Sequence, residues 1–432
     1  MTDASRRDVS AMASACGHAK RIAHAGLTHT LGAKMAMTTS GRAAPRRSAA
    51  WACVASLAMI VGCAAPMTQQ GDVSPDIVRA EQFKQQQLVV RSEFQLQQRL
   101  DNVSFALLRA SVPLCRDAVR PRRGIRFANV HSFAKDYRAA ARELGFSDTL
   151  SVTVVAKGSP AERAGVKVGD RIIAVAGEAA PVGSRATSDF AARLDQSRSD
   201  GGSTPAAPIN RYTVLRSPAV GHQVDSSVSV DTTVRTIELE VPADTVCAFD
   251  AMVVKDDGIN AYADGKNVAV TSGMMRFATT DDELAVVVSH EIAHNAMRHI
   301  QAKKKNSAFG AILGAIVDVA AASQGINTYG EYTNMGAEYG AMTFSQNFEL
   351  EADYVGEYIL ARAERPIENS PDFWRRMAME SPGSIKFASS HPTTAERFVR
   401  LESTVAEINR KRTEQRPLMP EMRAMGPNGK PE

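Results

Sequence analysis

The run from Thr280 to Lys305 constrains this chain most, because it reads as a buried helix carrying three ionisable side chains. Thr280-Asp281-Asp282-Glu283 is a capping box whose acids sit where the helix dipole favours negative charge. Leu284 to Val288 forms an apolar body, and Arg298 with Lys303 to Lys305 follows near the other end. Within this frame lie His290, Glu291 and His294. Such groups are costly to bury unless partnered, and a metal ion is such a partner. Residues four apart share a helix face, with Cβ atoms roughly 5–6 Å apart. His290 and His294 can thus reach one zinc ion at Zn–N distances of about 2.0–2.1 Å. Glu291 falls beside that position, where its carboxylate can take a proton from water. The bland alternative is a pair of core histidines with ordinary hydrogen bonds. His299, five residues beyond His294, is expected to face elsewhere, at the surface.

A catalytic zinc needs a third protein ligand and an open position. The segment Asn347-Phe348-Glu349-Leu350-Glu351-Ala352-Asp353 offers it. Glu349 and Asp353 are four apart and share a helix face, while Glu351 lies about 200° from Glu349. One acid can bind the metal while the other supports it, for instance by accepting a histidine N–H. Spacing leaves the choice open, and Glu351 remains the weaker candidate ligand.

At 432 residues the chain has room for two or three domains. Its net charge is only +4, and its basic residues are scattered without interleaved aromatics, which argues against a nucleic-acid partner. Of its five cysteines, Cys63 ends the apolar stretch that follows Arg46 and Arg47. A charged start, a short apolar run and a small residue before cysteine form the plan of an exported precursor. It resembles a bacterial lipobox, which implies acylation of Cys63 and, with Ala64 following, an outer-membrane anchor. The alternative is a plain signal peptide or an unprocessed anchor. Starting at Met35 or Met37 gives the leader ordinary length, and Cys16 and Cys53 are then missing from the mature chain. Cys115 and Cys247 remain as an even pair in an oxidising compartment, candidates for one disulfide or for two buried free thiols.

After a polar tether, Thr68 to Asp76, the stretch from Ile77 to Leu108 is Gln-rich and helical. Ser132 to Leu144 reads as another helix, with Gly145 as its C-cap. Val152 to Val155 alternates like a strand, Gly158-Ser159-Pro160-Ala161 turns into a short helix, and Ala164 to Asp170 leads into the strand Arg171–Val175. This run resembles a PDZ domain, continuing through a helix near Ser188–Leu194 and a Gly/Ser/Pro-rich insertion, Ser197 to Pro208, to a strand at Arg235–Val241. Such a domain captures peptides by β-augmentation; the alternative is a small β domain that only packs against its neighbour. From about Asp250 the pattern is helical. Phe309 to Ala322 is apolar and Gly/Ala-rich, but about fourteen residues cannot span a bilayer that takes about 20. A buried or membrane-touching helix is expected there. Lys411 to Glu432, rich in Pro and charge, reads as a disordered tail.

HEIAH followed by FELEAD resembles the HtpX/BepA-like, CAAX-prenyl-protease type of zinc metallopeptidase within the gluzincins, over about Asp250 to Leu401. Periplasmic members lack membrane helices, and this sequence shows none either. The resemblance implies that Glu349 is the third ligand and Asp353 the accompanying acid, sometimes a proton donor. It implies that Asn260 to Ala263 and the strand Asn267–Thr271 form an edge beside the cleft, where an extended substrate pairs through its backbone. Ser390-His391-Pro392, with Arg397 six residues after His391, matches a late family element. It implies that His391 approaches the zinc or the oxyanion and that Arg397 orients it or the ligands; a helix-entry turn is the alternative. The PDZ-like module and the lack of a C-terminal helical repeat array set this chain apart from BepA-like members.

The expected architecture is α+β: a mainly helical, zincin-like metallopeptidase domain preceded by a small β-rich PDZ-like domain. The boundaries are 1–63 leader, 64–145 tether and helical segment, 146–245 PDZ-like domain, 246–410 peptidase domain and 411–432 tail. The expected activity is zinc-dependent cleavage of polypeptides, with one zinc per chain, in the periplasm at the outer membrane. The alternative is a latent or non-proteolytic chaperone or scaffold lipoprotein whose zinc is structural.

Overall fold

Ser74 accepts a hydrogen bond from the Asp76 amide and Pro75 occupies the first turn, which starts helix α1 (Pro75–Ala110). A computed structural model of the chain describes residues 68, 71–199, 210–217, 233–324, 326–342, 345–380 and 395–423. Residues from Val73 onward belong to one compact unit. The leader, Cys63 and His391 lie outside the described residues, as does most of the expected insertion.

After α1 come β1 (Val119–Arg122), β2 (Ile125–Ala128), α2 (Arg138–Glu143), β3 (Ser151–Val155), α3 (Pro160–Arg163), β4 (Arg171–Val175), β5 (Glu178–Ala179), α4 (Ala186–Ser199), β6 (Asn210–Arg216) and β7 (Arg235–Val241). Strands β2-β3-β4-β6-β7, with β5 on β4, form one antiparallel sheet. Its inner face packs Val152, Ile172, Tyr212 and Val214 against Phe190 of α4. Gly169 (φ +91°) makes the turn before β4. Asp170 holds that turn by accepting from the Lys167 amide at 2.9 Å and from Arg216. This sheet begins at Ile125, upstream of the expected boundary at 146, because β2 pairs with β3 although α2 separates them in sequence.

The second half contains β8 (Asp244–Cys247), β9 (Asp250–Val254), β10 (Ala261–Ala263), β11 (Asn267–Thr271) and helices α5 (Ser272–Phe277), α6 (Asp281–Ala296), α7 (His299–Ser323), α8 (Glu331–Met342), α9 (Ser345–Arg362), α10 (Ser370–Glu380) and α11 (Ala395–Thr413). β8 pairs with β1, and β10-β11-β9 form a small sheet with β10 at one edge. The molecule is thus a mixed α/β protein, a PDZ-like sheet followed by a largely helical domain.

Helix α1 joins the two halves through its glutamines. Gln97 accepts from Val253 N at 3.1 Å and donates to Ala251 O at 3.2 Å, so its amide completes the open edge of β9. Gln98 does the same for Val155 of β3, at 3.1 Å and 2.7 Å. Arg99 donates to the carbonyls of Met275, Ala278 and Thr280, each at 2.7 Å, which fixes the entry to α6. A buried disulfide joins Cys115, just after α1, to Cys247 at the end of β8.

Two expectations are corrected. The chain does not become disordered at Lys411: α11 runs to Thr413, and buried Lys411 donates to Met419 O at 2.8 Å and pairs with Glu421 at 2.7 Å. A basic head seated on a carbonyl and a carboxylate holds residues 411–423 against the core; residues 424–432 are not among those described. Nor is the chain without a helix of membrane-crossing length and composition, since α7 is one. The segment Phe309–Ala322 is not buried within it.

Two measurements test this framework. The disulfide closes a sequence separation of 132 residues. Replacing both cysteines by alanine is expected to cost about 2–4 kcal/mol in denaturant unfolding. Glu283 is held at a pKa of about 2, first by the Arg376 hydrogen bond and then, against burial, by Thr279. Its folded pKa lies below the unfolded one, so its contribution is present above about pH 4.5 and lost as pH falls towards 2. Glu283→Gln is expected to cost about 1 kcal/mol at neutral pH, after allowing for solvent screening. That difference from wild type should shrink across the same window in acid titrations of unfolding.

Candidate metal centre

Helix α6 starts as its sequence dictates: Thr280 Oγ1 accepts from Glu283 N, and the Glu283 carboxylate reaches back to the Thr280 amide. Every residue from Leu284 to Ala296 is buried. Helix α9 crosses α6 at Gly356, where an added Cβ would lie 3.3 Å from His290 Cα. A Cβ there would require the neighbouring backbone to give by a few tenths of an ångström.

This approach brings His290, His294 and Glu349 together, with one donor atom from each within 4.8 Å of the others. His290 Nε2 lies 3.1 Å from His294 Nε2 and 3.3 Å from Glu349 Oε2, and His294 Nε2 lies 3.5 Å from Glu349 Oε1. Two donors tetrahedrally bound to one zinc ion are about 3.3 Å apart, given Zn–N distances of about 2.0–2.1 Å. Two imidazoles and a carboxylate on such a triangle suit zinc in both geometry and chemistry. Glu291 follows His290 on the same helix and is equally buried.

Further polar groups hold this triangle from behind. Asp353 Oδ1 lies 2.9 Å from His290 Nδ1, leaving Nε2 to point at the metal position. Arg397 grips Asp353 with Nε at 2.5 Å and Nη2 at 2.8 Å, and its guanidinium lies 4.2 Å from the centre of the Trp374 ring. Burial pushes the Asp353 carboxyl up, but Arg397 and His290 outweigh it and hold it low. Burial opposes a charge on His290, yet Asp353 and Glu349 raise it to about 9. The pocket therefore favours positive charge at its focus. One turn further along α9, burial keeps the Glu357 carboxyl well above its ordinary pKa.

His299 corrects the expectation of a surface residue: it is 1% exposed. Its Nδ1 lies 3.0 Å from His294 Nδ1, its Nε2 lies 3.0 Å from Glu351 Oε2, and its ring stacks on Phe348. An i+5 projection misplaces it because α6 has already ended, and Arg298 adopts a left-handed conformation (φ 60°) that turns His299 back. If His299 Nε2–H donates to Glu351, its Nδ1 accepts from His294 Nδ1–H, and the lone pair of His294 Nε2 faces the metal position. Glu351 is thus placed behind a ligand rather than among the ligands. Asn295, also on α6, accepts from Gly265 N at 2.8 Å and donates to Asn267 O at 3.0 Å. That ties the β10–β11 turn to the helix bearing the site. No sequence signal marked His299, Trp374 or Asn295, whose contacts depend on how separate elements pack.

Residues 227–405 match the family model for peptidase family M48, and residues 151–200 match that for the PDZ domain. The first match begins before β7, which completes the PDZ-like sheet. Mitochondrial metalloendopeptidase OMA1 of Schizosaccharomyces pombe is 32% identical over 169 residues, 38% of this chain and 49% of that protein. The putative beta-barrel assembly-enhancing protease of Vibrio cholerae is 32% identical over 157 residues, 34% of this chain and 31% of that protein. The beta-barrel assembly-enhancing protease of Escherichia coli is 26% identical over 178 residues, covering 40% and 36%. The chain spans about half or less of the length of these curated relatives.

Replacing His299 by alanine is expected to weaken zinc binding about 10–100-fold, as losses behind a metal ligand do. Competition with a chromophoric chelator measures this, and an unchanged affinity would leave His299 a packing residue only.

Proposed function

We propose that this chain, which carries a metallopeptidase domain of family M48 and a PDZ domain, is a zinc endopeptidase of the bacterial cell envelope. Its substrates are misfolded or misassembled polypeptides, and it holds one zinc per chain. The observation that carries this reading is the triangle of His290, His294 and Glu349 beside Glu291.

Bound zinc supplies Lewis acidity and lowers the pKa of water. Glu291 takes the proton from the attacking water and delivers it to the leaving amine. With zinc bound, His290 and His294 would present deprotonated Nε2 atoms, oriented by Asp353 and by the His299–Glu351 pair. Arg397 acts through Asp353, keeping it ionised and in place. The role proposed for His391, at the oxyanion or the metal, falls on a residue outside the described ones, with a helix-entry turn as its alternative. An extended substrate pairs along the outer edge of β10, a backbone edge that β11 leaves open. A cavity of about 320 Å³ lies where β2 and α4 of the PDZ-like domain meet α1 and β1; it is lined by Phe127, Leu194 and Tyr212 and by Asp101, Arg120 and Arg122, and suits a peptide ligand. The relatives named for beta-barrel assembly support an envelope location, and acylation of Cys63 anchors the chain at the outer membrane.

Glu291→Gln tests the assignment, because it removes the base and keeps all three metal-binding residues. It is expected to retain zinc at one ion per chain and to slow cleavage of an unfolded polypeptide about 100- to 10,000-fold. Undiminished cleavage would end the reading of Glu291 as the base. If neither protein cleaves while both hold zinc, the metal is structural.

A further inference from the structure

Helices α7 and α8 form an antiparallel hairpin that is inside out for a protein in water. Its seam is glycine: a Cβ on Gly310 would lie 2.0 Å from Gly336 O, on Gly314 1.9 Å from Tyr332 O, and on Gly340 2.2 Å from Asn306 O. The backbones therefore touch, and among the described residues no large apolar side chain is buried between them. The large ones point out: Phe309, Ile312, Leu313, Ile316, Val319 and Met335 are between 50% and 70% exposed. Only 6% of the most apolar window of α7 is buried in the protein. In water, helices pair by burying apolar side chains between them. In lipid that driving force is absent, and small residues four apart let backbones pack closely, as Gly310/Gly314 and Gly336/Gly340 do.

Two further features fit a lipid surround. Asp318, the one acid inside the apolar stretch, is satisfied within the hairpin by Thr328 Oγ1 at 2.5 Å, Thr333 N at 2.8 Å, Thr333 Oγ1 at 2.6 Å and Tyr332 N at 3.3 Å. It needs no water. Ahead of the apolar stretch, Lys304 and Lys305 are exposed, next to Lys303. Such a cluster attracts anionic headgroups, at about 1 kcal/mol per basic residue near the surface. The apolar side chains of α7 lie opposite its glycine seam, so a protein partner docked on one side would leave much of the hairpin bare.

We propose that the α7–α8 hairpin inserts into one leaflet of an anionic phospholipid bilayer, with Lys304 and Lys305 at the headgroups. Phe309 to Ala322 is about 21 Å long at about 1.5 Å per residue. That falls short of the roughly 30 Å hydrocarbon core, so the hairpin does not cross and lies tilted within one leaflet. Because α7 begins at His299, against His294, insertion sets the metal centre about one and a half helical turns above the headgroups. This inference stands independently of the peptidase activity.

The test uses the full chain carrying Cys63→Ser, so that no acyl anchor contributes, and vesicles of phosphatidylcholine with or without phosphatidylglycerol. Sedimentation with the anionic vesicles is expected, falling at least tenfold in Ile312→Glu/Ile316→Glu and in Lys304→Gln/Lys305→Gln. Both changes are at exposed positions away from the metal centre, so zinc content and circular dichroism should stay as in the parent. Phe309→Trp should show blue-shifted emission quenched by brominated acyl chains. Failure of the parent to bind, or a Phe309→Trp signal that stays water-like on bound vesicles, overturns the proposal. Concentration-dependent dimerisation abolished by Ile312→Glu/Ile316→Glu, without vesicle binding, would give this face to a second copy instead.

Discussion

Everything at the centre of this molecule depends on charge compensation where α6 meets α9. His290, Glu291, His294, Glu349, Asp353 and Arg397 are all nearly inaccessible to water. A buried ion is tolerated only when each of its hydrogen-bonding positions is met. Arg397 keeps Asp353 ionised, Asp353 turns His290, and the carboxylates together demand a cation at the focus. The close crossing at Gly356 makes those distances attainable. Loss of His290, Asp353 or Arg397 leaves its partners as uncompensated buried charges, which ties stability and chemistry to the same contacts.

Around that centre the fold works by making distant segments share hydrogen bonds. The α1 glutamines complete strand edges in both halves of the molecule, and Asn295 fastens the β10–β11 turn to α6. The cleft edge, the metal-bearing helix and the PDZ-like sheet are thus held to one framework. The α7–α8 hairpin departs from it. It leaves the metal centre at His299 and carries its apolar surface outward, so the same helix start contributes both to a ligand's hydrogen bonding and to a lipid-compatible surface.

The parts legible in the sequence obey local rules. The capping box of α6 appears where Thr280 and Glu283 stand three apart, and strands β3, β4 and β7 follow their alternation. Gly145, at φ +91°, follows the C-cap Leu144 in the left-handed conformation that ends a helix, although α2 starts only at Arg138 rather than at Ser132. Other features were hidden because they are relations between segments. β2 emerges only once it is paired with β3, and Lys411 reads as a disordered charge until Met419 and Glu421 fold back upon it. His299 was misplaced because a helical projection assumes the helix continues, and one left-handed residue at Arg298 breaks it.

By itself, the sequence determined that a buried, capped helix carries His290, Glu291 and His294 with metal-binding spacing, because capping and the 3.6-residue period act within a few residues. It narrowed the third position to acids of one short segment and could not choose among them by spacing. Only the tertiary structure decided that Glu349 faces the two Nε2 atoms, that Asp353 and Arg397 stand behind His290, and that Glu351 stands behind His299. Those assignments depend on the angle and closeness at which two helices cross. That crossing is set by packing between residues far apart in the chain, and no local periodicity encodes it.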